Sequence, residues 1–125
     1  MNENQIGDVI VDAALKVHTV LGAGLLESAY EACLAYELEK RSLLVQKQLP
    51  VPVVYEEVQL EVGYRLDLLV QNLVIVEIKA VEKLLPIHTA QILSYLKLTG
   101  RKLGYLLNFN VEHMRHGIKR VVNNI

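Results

Sequence analysis

Ile6, Val9, Ile10, Ala13, Val17, Val20 and Leu21 recur three and four residues apart, which predicts a first amphipathic helix. Gly22-Ala23-Gly24 should end it, glycine being the usual residue just past a helix. A second helix is expected from about Leu26 to Arg41, with Leu26, Tyr30, Cys33, Leu34 and Leu38 as its apolar stripe. The pattern then changes period. Val45 to Tyr55 is rich in valine and broken by Pro50 and Pro52, as an edge strand is. Glu56-Glu57 reads as a turn, strand character runs from Val58 to Val70, and Gln71-Asn72 is a second turn. Leu73 to Ala80 is apolar on both faces apart from Glu77 and Lys79, the pattern of a central strand covered on both sides. Pro86 opens a third helix, which Ile87, Ile92, Leu93, Leu96 and Leu98 carry to a stop at Gly100. Leu103 to Phe109 is a further strand, and Gly117 to Val122 is a last strand or a short helix. The order α-α-β-β-β-α-β predicts an α/β domain, a mixed sheet covered by helices.

With 125 residues there is room for one core, and no linker or repeat divides the chain, so residues 1–125 are read as one domain. No apolar run is long enough for a membrane span. The polar start, Met1 to Gln5, lacks the layout of a secretion signal, so a cytoplasmic location is expected. The single cysteine, Cys33, excludes an internal disulfide and a thiolate metal cluster. A net charge of -1 does not point to bulk electrostatic binding of nucleic acid. Lys97, Arg101, Lys102, Arg115, Lys119 and Arg120 thicken the positive charge toward the C-terminus, as a solvated face or a local basic surface.

The chemistry concentrates in the predicted central strand. Glu77 and Lys79 are two apart, so both side chains leave the sheet on one face. Burying ionised groups there costs several kcal/mol unless they are paired or bind a metal. A structural salt bridge or a strand end reaching water is the plainer explanation. Asp67 lies ten residues earlier, and a hairpin at Gln71-Asn72 would set it almost opposite Glu77. Two carboxylates that close repel by ~4 kcal/mol at an effective dielectric near 20, which a divalent cation would reverse. Solvation at a sheet edge, or pairing with Arg65 or Lys79, would serve Asp67 equally. Glu27 borders the apolar stripe of the second helix and falls in its first turn, where capping is the simple role. Gln91 and Tyr95, four apart, share a face of the third helix. His88 in its first turn is a surface histidine or a substrate contact, and Cys33 is a buried thiol. His18, His113 and His116 form no i, i+4 metal pair.

Gly24-Leu25-Leu26-Glu27-Ser28-Ala29-Tyr30 is a GxxExxY string. With Arg65-Leu66-Asp67, Val76-Glu77-Ile78-Lys79 and Ala90 to Lys97, it makes the chain resemble, over roughly residues 5 to 123, the GxxExxY proteins of the PD-(D/E)xK nuclease superfamily. The resemblance implies a restriction-endonuclease-like fold. It makes Asp67 and Glu77 metal ligands, Lys79 the catalytic lysine and Glu27 the helical acid. Gln91 and Tyr95 fit a Q-x-x-x-Y signature of the exonuclease-like branch. Leu66 stands where the superfamily name has proline, and the cysteines of iron–sulfur relatives are missing, so no cluster is expected.

The activity so implied is metal-dependent hydrolysis of a phosphodiester bond in nucleic acid, with DNA the expected substrate. Asp67, Glu77 and the Ile78 carbonyl would hold Mg²⁺, or Mn²⁺ in its place. Lys79 would orient water or stabilise the pentacovalent state, and Glu27 would ligate the ion directly or through water. Gln91 and Tyr95 would position Lys79, the water or the phosphate. No membrane partner is expected, and a homodimer or protein partner is one way for so small a domain to grip a duplex. Two other readings stay open. One is a non-catalytic module that binds nucleic acid or protein on the same fold, and the other is a metal-dependent hydrolase of a different phosphoester.

Overall fold

The computed structural model describes residues 1–124. Helix α1 (Glu3–Leu21) starts earlier than the apolar pattern because a capping box fixes its end. The Asn2 side chain accepts from the Gln5 N–H at 2.8 Å, and the Gln5 side chain accepts from the Asn2 N–H at 2.9 Å. Helix α2 (Glu27–Lys40) follows, then β1 (Val45–Tyr55), β2 (Val58–Val70), β3 (Val74–Lys79), α3 (Pro86–Thr99), β4 (Leu103–Asn108), a 3-10 turn at Met114–His116, and β5 (Ile118–Val122). The segment that the sequence left between strand and helix is therefore a strand.

The five strands lie in the order β1-β2-β3-β4-β5. All neighbours are antiparallel except β3 and β4, which run parallel because α3 carries the chain back between them. The most apolar strand is thus the middle one, and the proline-bearing strand is at an edge, as its missing N–H groups require. Gln71 and Asn72 both take positive φ, 54° and 57°, in the hairpin turn that joins β2 to β3.

Period-two alternation divides the sheet residues between two cores. Leu68, Val70, Val74, Val76, Ile78 and Leu107 pack against Ile6, Ile10, Tyr30 and Leu34 of α1 and α2. Leu66, Leu69 and Ile75 pack on the other side against Ile92, Tyr95 and Leu96 of α3. Each fully buried leucine or isoleucine stabilises the fold by about 1.5–3 kcal/mol. Helix α1 lies so near the sheet that a Cβ at Gly7 would come 2.5 Å from the Tyr105 hydroxyl.

Four expected core residues are exposed, and Cys33, expected as a buried thiol, is only half-buried. Leu26 is 77% exposed because it precedes the first helical turn, and Val20 is 71% exposed at the end of α1. Ile87 and Leu98 are exposed as well, on the open side of α3 next to Tyr95. The distal β1–β2 hairpin is mostly exposed. Its second strand is exposed from Val58 to Arg65, and no lysine or arginine occurs between Lys47 and Arg65. Among the described residues no helix is long and apolar enough to cross a membrane.

Candidate active site

The pairing of Leu68 with Val76, Leu69 with Ile75 and Val70 with Val74 sets Asp67 across from Glu77, but the regular ladder stops at Leu68. Beyond it the two carboxylates stand in for backbone carbonyls. Glu77 Oε2 accepts from the Asp67 N–H at 2.8 Å, and Asp67 Oδ2 accepts from the Ile78 N–H at 2.8 Å. Each acid thereby satisfies an amide on the other's strand as the strands part. Leu66 and Leu68, only two apart, join different cores, so β2 loses its alternation at Asp67.

Glu77 is 5% exposed. Its neighbours Val76 and Ile78 fill the core beneath α1 and α2, so Glu77 and Lys79 leave the sheet on the α3 side. Burial, and after it the Asp67 carboxylate, push the Glu77 carboxyl up to about 8, against the pull of the Asp67 N–H and Lys79. Lys79, Gln91 and Tyr95 line one open cleft of about 540 Å³, together with His88 and Tyr64. Tyr95 is nearly buried and its ring lies 6.0 Å from that of Tyr64. Burial and then the Glu77 charge raise the Tyr95 phenol above its ordinary range, while Gln91 pulls it down. Glu77 stands two residues before Lys79 on the same face of β3, which sets the paired carboxylates beside the cleft. His88 Nδ1 accepts from the Leu85 N–H at 3.0 Å, which ties this ring to the start of α3.

Glu27 approaches from the other side. It is exposed, and its Oε2 accepts from the Ala80 N–H at a long 3.4 Å, one residue beyond Lys79. It touches the end of β3 rather than the cleft that Lys79 lines, and it caps nothing in its own helix. The rest of its motif is structural. Gly24 has φ +100°, a conformation that disfavours any side chain. The buried Tyr30 hydroxyl donates to the Gly22 carbonyl at 2.6 Å and accepts from the Leu25 N–H at 3.1 Å, and its ring stacks on Phe109 at 4.6 Å. Tyr30 thus pins the loop that delivers Glu27. Tyr30→Phe is expected to lower stability by about 1–2 kcal/mol in urea melts, because two loop groups lose their buried partner.

Two residues that the sequence did not single out also stand here. Glu31 lies one turn beyond Glu27, and Gln48 is its partner, with Nε2 donating to Glu31 Oε1 at 2.7 Å. The signal for Glu31 was its i, i+4 relation to Glu27, whereas nothing in the strand pattern marks Gln48. Asn108 is a third such residue. It is buried, and its amide holds Val81 through both the N–H and the carbonyl, which steadies the chain just after Lys79.

The donor set of Asp67, Glu77 and nearby Glu31 is hard oxygen. Among the described residues none of these three carboxylates has a lysine or arginine within ion-pair distance. That chemistry fits a small divalent cation, and Asp67 Oδ1 and Glu77 Oε1 lie outside the two bonds to backbone amides. As the side chains are turned, no three His, Cys, Asp or Glu among the described residues have metal-holding spacing.

Comparisons with curated proteins and with solved structures give no match. The family comparison does, over residues 4–121, which span both core layers and every residue of the site. A mixed sheet with its acids and lysine on the central strand and its neighbour agrees with that match, and the chain belongs to the PD-(D/E)XK nuclease superfamily.

Proposed function

We propose that this chain, of the GxxExxY kind, hydrolyses phosphodiester bonds in DNA with Mg²⁺ held by Asp67, Glu77 and the Ile78 carbonyl. The observation that carries the reading is a carboxylate pair with no lysine or arginine in ion-pair distance among the described residues, set two residues along β3 from Lys79, which lines a cleft with Gln91 and Tyr95. Nucleases of this superfamily generally use divalent metals. When bound, such an ion acidifies a coordinated water and offsets charge developing at phosphorus.

The chain's own groups supply the rest. Lys79 presents an ammonium donor to a phosphoryl oxygen or to the attacking water, where it is strongest in the charged transition state. Gln91 and Tyr95, one turn apart on α3, offer an amide and a hydroxyl to hold phosphate or water beside Lys79. Glu27, through Ala80, fixes the strand end on which Lys79 stands.

Incubation with labelled single- and double-stranded DNA and RNA, in Mg²⁺, Mn²⁺ or EDTA, tests this. Cleavage of DNA in either metal and its loss in EDTA are expected. Retention of nucleic acid without cleavage in any metal would favour the binding module instead. Gln91→Ala is expected to slow cleavage by about 10-fold or more at saturating metal, since it removes a positioning group but no ligand.

A further inference from the structure

Glu27 and Glu31 are four apart and leave α2 on the same face, yet their surroundings differ. Glu27 is exposed and reaches a backbone amide, whereas Glu31 is half-buried and turned toward Asp67. The link is Gln48. Its Nε2 donates to Glu31 Oε1 at 2.7 Å and lies 3.4 Å from Asp67 Oδ1, so one amide joins the helix acid to the strand acid. The backbone of β1 is irregular at this contact. Gln48 has φ +50°, a left-handed conformation that residues with a Cβ seldom adopt. It falls between the Lys47–Leu68 and Leu49–Leu66 pairs, facing Asp67 where the ladder skips a pair. Its side chain is exposed, so core packing does not explain the kink, and strained backbone of this sort collects at functional sites.

An amide also suits the electrostatics. It donates hydrogen bonds to carboxylates without cancelling their charge, as a lysine or arginine there would. Burial, followed by the Asp67 charge, lifts the Glu31 carboxyl above its ordinary range, and Glu31 in turn adds to the rise at Glu77. We infer that Glu31 is the helix-borne acid facing the metal-binding carboxylates, and that Gln48 is the positioning residue that holds it against Asp67. This rests on the metal-dependent reading above. Glu27 then supports the Lys79 end of β3 rather than the ion.

Calorimetric titration with Mg²⁺ alone tests the assignment on the original protein, Glu31→Gln, Gln48→Ala, Glu27→Gln, Asp67→Asn and the Glu31→Gln/Gln48→Ala pair, alongside cleavage rate against Mg²⁺ concentration. Glu31→Gln and Gln48→Ala are each expected to weaken metal binding about 10- to 100-fold. Glu27→Gln should weaken it less. The double variant should bind no more weakly than Glu31→Gln, because Gln48 acts through Glu31. For Gln48→Ala, raising Mg²⁺ should restore the cleavage rate, which a general loss of structure would not allow. Circular dichroism in EDTA checks the fold, and Glu31→Gln keeps a partner for Gln48 should the alanine variant be unstable. Unchanged affinity in Glu31→Gln, with affinity lost in Asp67→Asn, overturns this inference and leaves the nuclease reading standing. Absence of metal binding by the original protein overturns both.

Discussion

Lys79→Ala is expected to lower DNA cleavage by about 10²- to 10³-fold, the usual cost of removing one donor from a charged transition state, while Mg²⁺ binding persists or tightens. Lys79 stands on the central strand with its side chain in the cleft and makes no ion pair among the described residues, so its loss should leave the fold intact. It also pulls the Glu77 carboxyl down, and removing it takes a positive charge away from the cation site. Asp67→Asn should do the reverse. The asparagine carbonyl can still accept from the Ile78 N–H, so the strands stay joined, but a ligand charge is gone. Mg²⁺ should then no longer raise the melting temperature, whereas the original protein gains about 2.7 kcal/mol at a hundredfold its Kd. Thermal shift with and without Mg²⁺, and cleavage, on all three proteins decide the matter. Full activity in Lys79→Ala removes the lysine from the mechanism, and equal metal stabilisation in Asp67→Asn removes Asp67 from the ligand set.

The metal-free protein should lose stability as pH rises from about 4.5 toward 8. Glu77 carries the effect, its carboxyl being raised from an ordinary 4.5 to about 8 by burial and by Asp67. Between those values the folded state holds a proton that the unfolded chain has released. Stability is therefore fully present below the unfolded value and is lost as pH climbs through the folded one. The slope is at most about 1.4 kcal/mol per pH unit, so the span amounts to a few kcal/mol. Glu31 is shifted in the same direction and adds to the trend. Glu77→Gln should flatten the profile and be more stable than the original above pH 8 in EDTA, because a neutral amide can accept the Asp67 N–H without the repulsion. Added Mg²⁺ should stabilise the original most at alkaline pH, since the carboxylates must be charged to bind it. Urea melts in EDTA at pH 5, 7 and 9 measure this. A flat profile for the original would mean that Glu77 is not held protonated by its surroundings.

Much of this arrangement was legible along the chain because it follows from local periodicity. The proline-bearing edge strand, the doubly apolar central strand, the two turns and the helix stop at Gly100 each depend on a few adjacent residues. So did the pairing of Asp67 with Glu77, because a hairpin at Gln71-Asn72 fixes which residues face each other. Gln91 and Tyr95 were readable as one helix face, and Lys79 as the partner of Glu77 on one face of the sheet.

Packing between distant segments decided the rest. Glu27 and Glu31 have the same helical phase, and only the approach of β1 distinguishes them, since Gln48 comes from 17 residues away to meet Glu31. The left-handed backbone at Gln48 and the exchange of carboxylates for backbone acceptors between β2 and β3 leave no trace in a hydropathy pattern. They arise where two strands part and their amides need other partners. Tyr95 is buried while Ile87 and Leu98 are exposed, because side-chain burial depends on how α3 lies over the sheet, not on hydrophobicity alone. The sequence by itself determined the elements, their neighbours and which residue types share a face. Tertiary structure decided which acids meet, because that depends on contacts between segments that local periodicity does not specify.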